Sequence, residues 1–345
     1  MNKASRFRGN SVPDTTLEGR SRAQIAEAVR IRQERAKIEI SEALDRFGAV
    51  SSRRFPKMPR IRVVSDEERE SVWGRGAKDQ GDFIASDRIR LSEGSSRNTA
   101  FHEAMHYVRH YAKLDRDGSI PNFTRRAISE MCSIFVAASM SGHDILSDPI
   151  SQALSIYNLE PGGRELGSLS KSCDYYFFRQ VRGLLEASGE KEAVDFFLAA
   201  GRDAVELSRY ERGAREVSEY SFGRALGVIH MAHNGLSIER TLRQMMTINY
   251  DGLLKVIVGQ RVNPESNGFL DLVESRILEA RNESDLGKNK SRSTTLKASD
   301  FTSSLIDMTG SVANTYYHIL RNYHHDRRNI SQGFFMTPTA RLRRH

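Results

Sequence analysis

Cysteine is nearly absent. Cys132 and Cys173 are the two in 345 residues, which excludes a disulfide framework and a cysteine-built zinc site. Both stand in apolar segments and read as buried free thiols. Long apolar runs are missing: no stretch approaches the roughly 20 residues that a membrane helix needs. Met1 to Arg20 is polar and basic, without the apolar region of a secretory signal. The default expectation is a cytoplasmic protein with no membrane span. Pro and Gly, at 8 and 25, are too few for a fibrous or low-complexity chain. Gly162-Gly163 follows Pro161 without a Gly-Lys-Ser/Thr element, so there is no phosphate loop. A repeat at fixed period, a zinc finger, a helix-turn-helix signature and an RNA-binding aromatic motif are absent too.

What is there suits a globular protein. The apolar fraction is 39% and the charged fraction 28%, and the length allows one large domain or two ordinary ones. The formal charge is +8, with Arg6 and Arg8 near one end and Arg327, Arg328, Arg341, Arg343 and Arg344 near the other. Such ends can bind nucleic acid or an anionic surface; a solvated tail is the plainer reading.

Met1 to about Thr16 reads as disordered. Arg20 to Phe47 reads as a long helix with Ile25, Ala28, Val29, Ala36, Ile40, Ala43, Leu44 and Phe47 on one stripe, packed as a lid on the core, and Gly48 as its stop. Ile31 and Ile38 lie off that stripe. Strand signals follow at Ile61–Ser65, Asp82–Ser86 and Arg88–Ser92, with Trp73-Gly74-Arg75-Gly76 as a loop and Ser86-Asp87 as a turn. Helices are predicted over Asn98–Leu114, Thr124–Met140, Asp174–Ala187, Glu190–Ala200, Arg202–Leu207, Phe222–His233, Ser237–Met246 and Leu270–Arg281. Asn282–Ser299 reads as a charged linker, Asp300–Asn322 as a last helix, and the rest as a basic tail. The division is 1–60 tail and helix, 61–281 main domain, 282–345 linker, terminal helix and tail.

The chemistry sits in His102-Glu103-Ala104-Met105-His106. On a helix, positions i and i+4 share a face one turn apart, so His102 and His106 can hold one Zn²⁺. Glu103 is rotated by one position and flanks the ion as general base for a zinc-bound water, whose pKa zinc lowers towards roughly 7. Phe101, Ala104, Met105, Val108 and Ala112 supply the apolar surface of this helix. His110 is about 12 Å along the axis from His102 at 1.5 Å per residue, too far to share one ion, and reads as exposed or as a support to a ligand. A metzincin would have Gly and His where Arg109 and Ala112 stand, which excludes that branch.

A catalytic zinc takes a third protein ligand. Glu130 is the first candidate. It lies on or beside the stripe of Ala127, Met131, Ile134, Phe135 and Ala138, where an unpaired carboxylate is costly. Pairing with Arg126 is the alternative, and His143 and Asp144 are rival ligands.

A strand, a His-Glu-x-x-His helix and a Glu on a following helix together resemble the gluzincin branch of the zincin metallopeptidases. The resemblance covers roughly Ile61 to Met140. It implies an α+β, mainly α fold, with a small N-terminal β-sheet packed on the motif helix and a helical C-terminal half. It also implies zinc held by His102, His106 and Glu130, peptide-bond hydrolysis with Glu103 as base, and a substrate along an edge strand, Arg88 to Ser92. One departure stands out: the thermolysin-like pattern has an Asp four residues after the ligand Glu, and Ile134 occupies that place here. Hydrolysis also needs an oxyanion donor. Tyr220, in Tyr220-Ser221-Phe222-Gly223-Arg224-Ala225-Leu226-Gly227, is the candidate, with His230 and His233 as rivals and core packing as the plain alternative. Gly223 and Gly227 at helical spacing permit close approach to another helix. Tyr323-His324-His325-Asp326 reads as solvated chain. The leading reading is a zinc metalloprotease acting on proteins or peptides. The alternatives are a non-proteolytic binding or regulatory protein on a zincin scaffold, and a nucleic-acid-associated protein using its basic termini.

Overall fold

A computed structural model describes residues 20–55, 57–73, 81–84, 87–115, 120, 122–141, 148–159, 168–187, 214–259 and 264–288. The expected helices over Glu190–Ala200, Arg202–Leu207 and Asp300–Asn322 lie outside these residues, as do Gly74–Gly76, His143, Asp144, Tyr323–Asp326 and both basic termini.

Helix α1, Arg22–Ser51, opens on a capping box in which the Ser21 hydroxyl accepts from the Gln24 N–H while the Gln24 side chain accepts from the Ser21 N–H. Ala36, Ile40, Ala43, Leu44 and Phe47 of the expected stripe are buried, while Ile31 and Ile38 are exposed. Gly48 does not stop the helix, which runs on to Ser51 and ends at a left-handed Ser52. The glycine is needed because the chain folds back over the last turn: Arg53 N–H donates to Gly48 O at 3.1 Å. A Cβ on Gly48 would fall 2.8 Å from Arg53 O.

Three short strands follow, β1 Arg60–Val64, β2 Gly81–Ile84 and β3 Arg88–Ser92, with the small helix α2, Arg69–Trp73, between β1 and β2. The order is β1-β3-β2, with β1 parallel and β2 antiparallel to β3. This corrects the expected edge strand: Arg88–Ser92 is the central strand, and Gly81–Ile84 is an edge. Local alternation cannot separate the two, because Ile89 and Leu91 face inward in either position. Ile61, Val63, Phe83, Gly81, Ile89 and Leu91 share the inner face, and Arg60, Arg62, Arg88 and Arg90 share the outer one.

The rest is helical. α3 is Arg97–Tyr111, α4 Asn122–Ser141, α5 Pro149–Ile156, α6 Ser168–Ala187, α7 Ala214–His233, α8 Ile238–Thr247, α9 Tyr250–Gly259 and α10 Pro264–Lys288. The protein is thus mainly helical with a small N-terminal sheet, as expected. α2, α5 and α9 were not expected. The start of α5 was legible, since Asp148 accepts from the Ile150 N–H at 2.9 Å and Pro149 takes the first turn. α10 includes Asn282–Lys288, read above as linker, because charge reads alike in a linker and on a solvated helix face.

α4 is the central element, packed between α3 and α7 and also touching α5, α8 and α9. Ala127, Ile128, Met131, Cys132, Phe135, Val136 and Ala137 are fully buried there. The approach of α7 is closest at Gly223, where a Cβ would fall 2.6 Å from Ala127 O and 2.9 Å from Met131 N. This bears out the small-residue spacing. Residues of α1 belong to the same apolar cluster as α3 and α4. Both cysteines are free and buried. No described helix is long and apolar enough to cross a membrane.

Candidate metal centre

The loop before α3 is held from α1. Arg20 pairs with Glu93 at 2.7 Å. The buried Arg32 pairs with Glu39 at 2.9 Å and donates to Ser95 Oγ at 3.2 Å. The Ser96 hydroxyl then caps α3 by accepting from the Thr99 N–H at 3.2 Å. α1 packs on the Phe101 side of α3, with the Phe47 and Phe101 rings 6.2 Å apart. His102 and His106 turn instead towards α4 and α7. α1 therefore forms a wall behind the motif helix.

His102 and His106 meet Glu130 of α4. The two Nε2 atoms are 3.2 Å apart. His102 Nε2 lies 3.1 Å from Glu130 Oε2 and His106 Nε2 lies 3.6 Å from Glu130 Oε1. The three side chains could hold a metal ion between them, and each keeps between 13% and 17% exposure, so the site opens to solvent. Glu130 Oε2 is buried without an aligned hydrogen-bond partner although His102 is close.

The expected alternative for Glu130 does not occur: Arg126 reaches Glu219 on α7 at 3.8 Å. His110 bonds Asp115 at 2.7 Å, outside the cluster. Two hydroxyls on α4 reach the second imidazole. Ser129 Oγ is 3.1 Å and Ser133 Oγ 3.2 Å from His106 Nδ1. They hold the ring from its Nδ1 side and leave Nε2 facing His102 and Glu130. The sequence signal was available, because Ser129 and Ser133 are four apart and flank Glu130 on one helix face.

Burial dominates the electrostatics. It pushes His106 down to about 4, so this ring is neutral near pH 7. Burial acts on His102 in the same sense, but Glu130 and Glu103 outweigh it and raise this histidine. Glu130 is lowered: burial opposes its charge, and the two histidines and Arg126 overcome that. An ionised Glu130 and one neutral histidine are donors a cation can use.

Glu103 is buried beside them and its carboxylate accepts from the Phe83 N–H of β2. Burial, then Glu130 and Asp82, push it up to about 8, against the pull of His102 and the Phe83 N–H. Gly81 makes room for it, since a Cβ there would fall 3.1 Å from Glu103 Cγ and 2.9 Å from Leu91 Cδ2. Tyr220 is half-buried with its ring 6.3 Å from that of His102, at 26°. Its rivals lie elsewhere: His230 and His233 are about 15 Å or more further along α7 at 1.5 Å per residue. No known protein family, curated protein or solved structure matches this chain.

Proposed function

We propose that the chain is a zinc-dependent metallopeptidase of zincin type, with His102, His106 and Glu130 as ligands and Glu103 as general base. The triangle of donor atoms carries this reading. Two ligand atoms about 2.1 Å from a zinc ion and disposed tetrahedrally are about 3.4 Å apart. The two Nε2 atoms are 3.2 Å apart, His102 Nε2 is 3.1 Å from Glu130 Oε2 and His106 Nε2 is 3.6 Å from Glu130 Oε1, and one donor atom from each of the three residues lies within 4.8 Å of the others. His₂Glu with one open position is a donor set suited to zinc catalysis rather than to a closed structural site.

Bound zinc supplies Lewis acidity, which makes water nucleophilic near neutral pH. Glu103 takes the proton; its Phe83 anchor holds the carboxylate beside the ligands, and the charge of a bound cation would favour its ionised form. Tyr220, next to His102, is the donor towards the oxyanion. β2 is an edge strand carrying that anchor, and an extended peptide added along it would pass Glu103.

Metal analysis and cleavage assays test the proposal separately. Purified, metal-replete protein is expected to hold one zinc per chain and to cleave unfolded proteins in a chelator-sensitive way. Glu103→Gln should keep zinc and lose cleavage; Glu130→Gln and His106→Ala should lose zinc. A chain without stoichiometric zinc would falsify the proposal. Zinc without cleavage of any unfolded substrate would leave a non-proteolytic scaffold in its place.

A further inference from the structure

The outer face of the sheet carries like charges side by side. Arg60 of β1 stands opposite Arg88 of β3, and Arg62 opposite Arg90. Cross-strand pairs of one sign weaken a sheet. Few carboxylates answer them. Asp87 takes Lys57 at 2.5 Å and is shared with Arg60 at 3.3 Å. Arg62 reaches Glu68 at 3.9 Å. Asp82 accepts from Arg90 Nε at 2.8 Å. Among the described residues no carboxylate pairs with Arg88. Arg60 and Arg62 keep 76% and 62% exposure, and Arg88 is exposed too. The other outward residues of these two strands, Val64 and Ser92, are buried. Every outward side chain of β1 and β3 that meets solvent is therefore an arginine. Lysine or mixed signs would keep such a face soluble at less cost; the guanidinium fork differs in matching phosphate or carboxylate with two hydrogen bonds.

The surroundings choose between anions. A protein partner is met by a patch with an apolar centre, from which charge is depleted. Ile84 of β2, opposite Arg88, is the one half-buried apolar side chain on this face among the described residues. Single-stranded nucleic acid is met by open aromatic rings on which bases stack. Trp73, beside this face, is covered by the Arg90 guanidinium at 5.7 Å from its centroid. A duplex presents phosphates that arginines can meet without reading bases. We propose that the outer sheet face binds the phosphate backbone of duplex nucleic acid without sequence preference. The inner face turns to α3, where Gly81 lies against Glu103 and Phe83 against Tyr107. Nucleic acid on the outer face thus leaves the metal centre uncovered, and neither site depends on the other.

The test follows the anisotropy of a short fluorescein-labelled DNA duplex of random sequence, titrated with the full chain at several salt concentrations. One variant joins Arg62→Gln to Arg88→Gln; a second joins Arg341→Gln, Arg343→Gln and Arg344→Gln. The sheet pair should weaken binding on the order of tenfold or more and reduce the slope of log affinity against log salt by about 0.9 for each arginine removed. It should melt no lower than wild type, because it relieves both like-charged register pairs, and should keep the wild-type metal content. Lysine at both sheet positions keeps the charge and should keep the slope. A wild-type chain that does not bind the duplex at low salt overturns the proposal. So does a loss confined to the tail variant while the sheet pair binds as wild type. Polyglutamate that binds more tightly than the duplex at equal charge overturns it in favour of an acidic protein partner.

Discussion

Gly223→Ala strikes the contact that brings Tyr220 and Glu130 to one place. The new methyl carbon would lie 2.6 Å from Ala127 O and 2.9 Å from Met131 N, with the Glu130 carbonyl carbon at 3.4 Å. An ordinary carbon–oxygen contact needs about 3.4 Å, so α7 and α4 must part by roughly 0.8 Å. The clashing atoms are backbone and cannot rotate away. Overpacking of this kind costs about 1–3 kcal/mol, or on the order of 5 °C in melting temperature. Metal sites hold ligand distances to about 0.2 Å, so zinc affinity should fall at least about tenfold. Gly227→Ala is the control. One turn on, a methyl there would meet Met131 Cγ at 3.4 Å and Phe135 Cδ2 at 3.5 Å. Those are side-chain atoms, the methionine is pliable, and alanine is favoured over glycine in a helix by up to about 1 kcal/mol. Melting temperature and chelator competition on both variants decide the matter. If Gly223→Ala melts and binds zinc like wild type, the close helix approach does not set the site.

Two further outcomes follow from the same geometry. Gly81→Ala would press on Glu103 Cγ and Leu91 Cδ2, so hydrolysis should drop on the order of tenfold to a hundredfold with zinc affinity held, as steady-state kinetics beside metal analysis would show. His230 is fully buried, with neither ring nitrogen hydrogen-bonded, and burial pushes it down to about 3. Between that value and the unfolded value near 6.5 the unfolded chain binds the extra proton. Stability is therefore full above about pH 6.5 and is lost as pH falls, by about 2 kcal/mol at pH 5. His230→Phe should flatten that part of the urea-melt pH profile; an unchanged acid slope would show that His230 is not its source.

The site was legible where it is local. His102, Glu103 and His106 need only helix periodicity, and Glu130 stood out as a carboxylate on an apolar stripe. The edge strand was misassigned because the parallel pairing of β1 with β3, between residues 28 apart as in Arg60 with Arg88, decides which strand lies between the others. Ser129 and Ser133 were readable as an i, i+4 pair, but nothing local says that an imidazole from another helix fills the space between them.

The sequence by itself determined the motif helix, its amphipathic face and the mainly helical class, because each follows from spacing along one element. The tertiary structure decided that α4 delivers Glu130 to the two histidines, with Oε2 3.1 Å from His102 Nε2 and Oε1 3.6 Å from His106 Nε2. It also decided that β2, through Phe83, holds Glu103, and that Gly223 lets α7 close on the site. These are long-range contacts, fixed by how whole helix faces pack, and no periodicity within a segment encodes which face meets which.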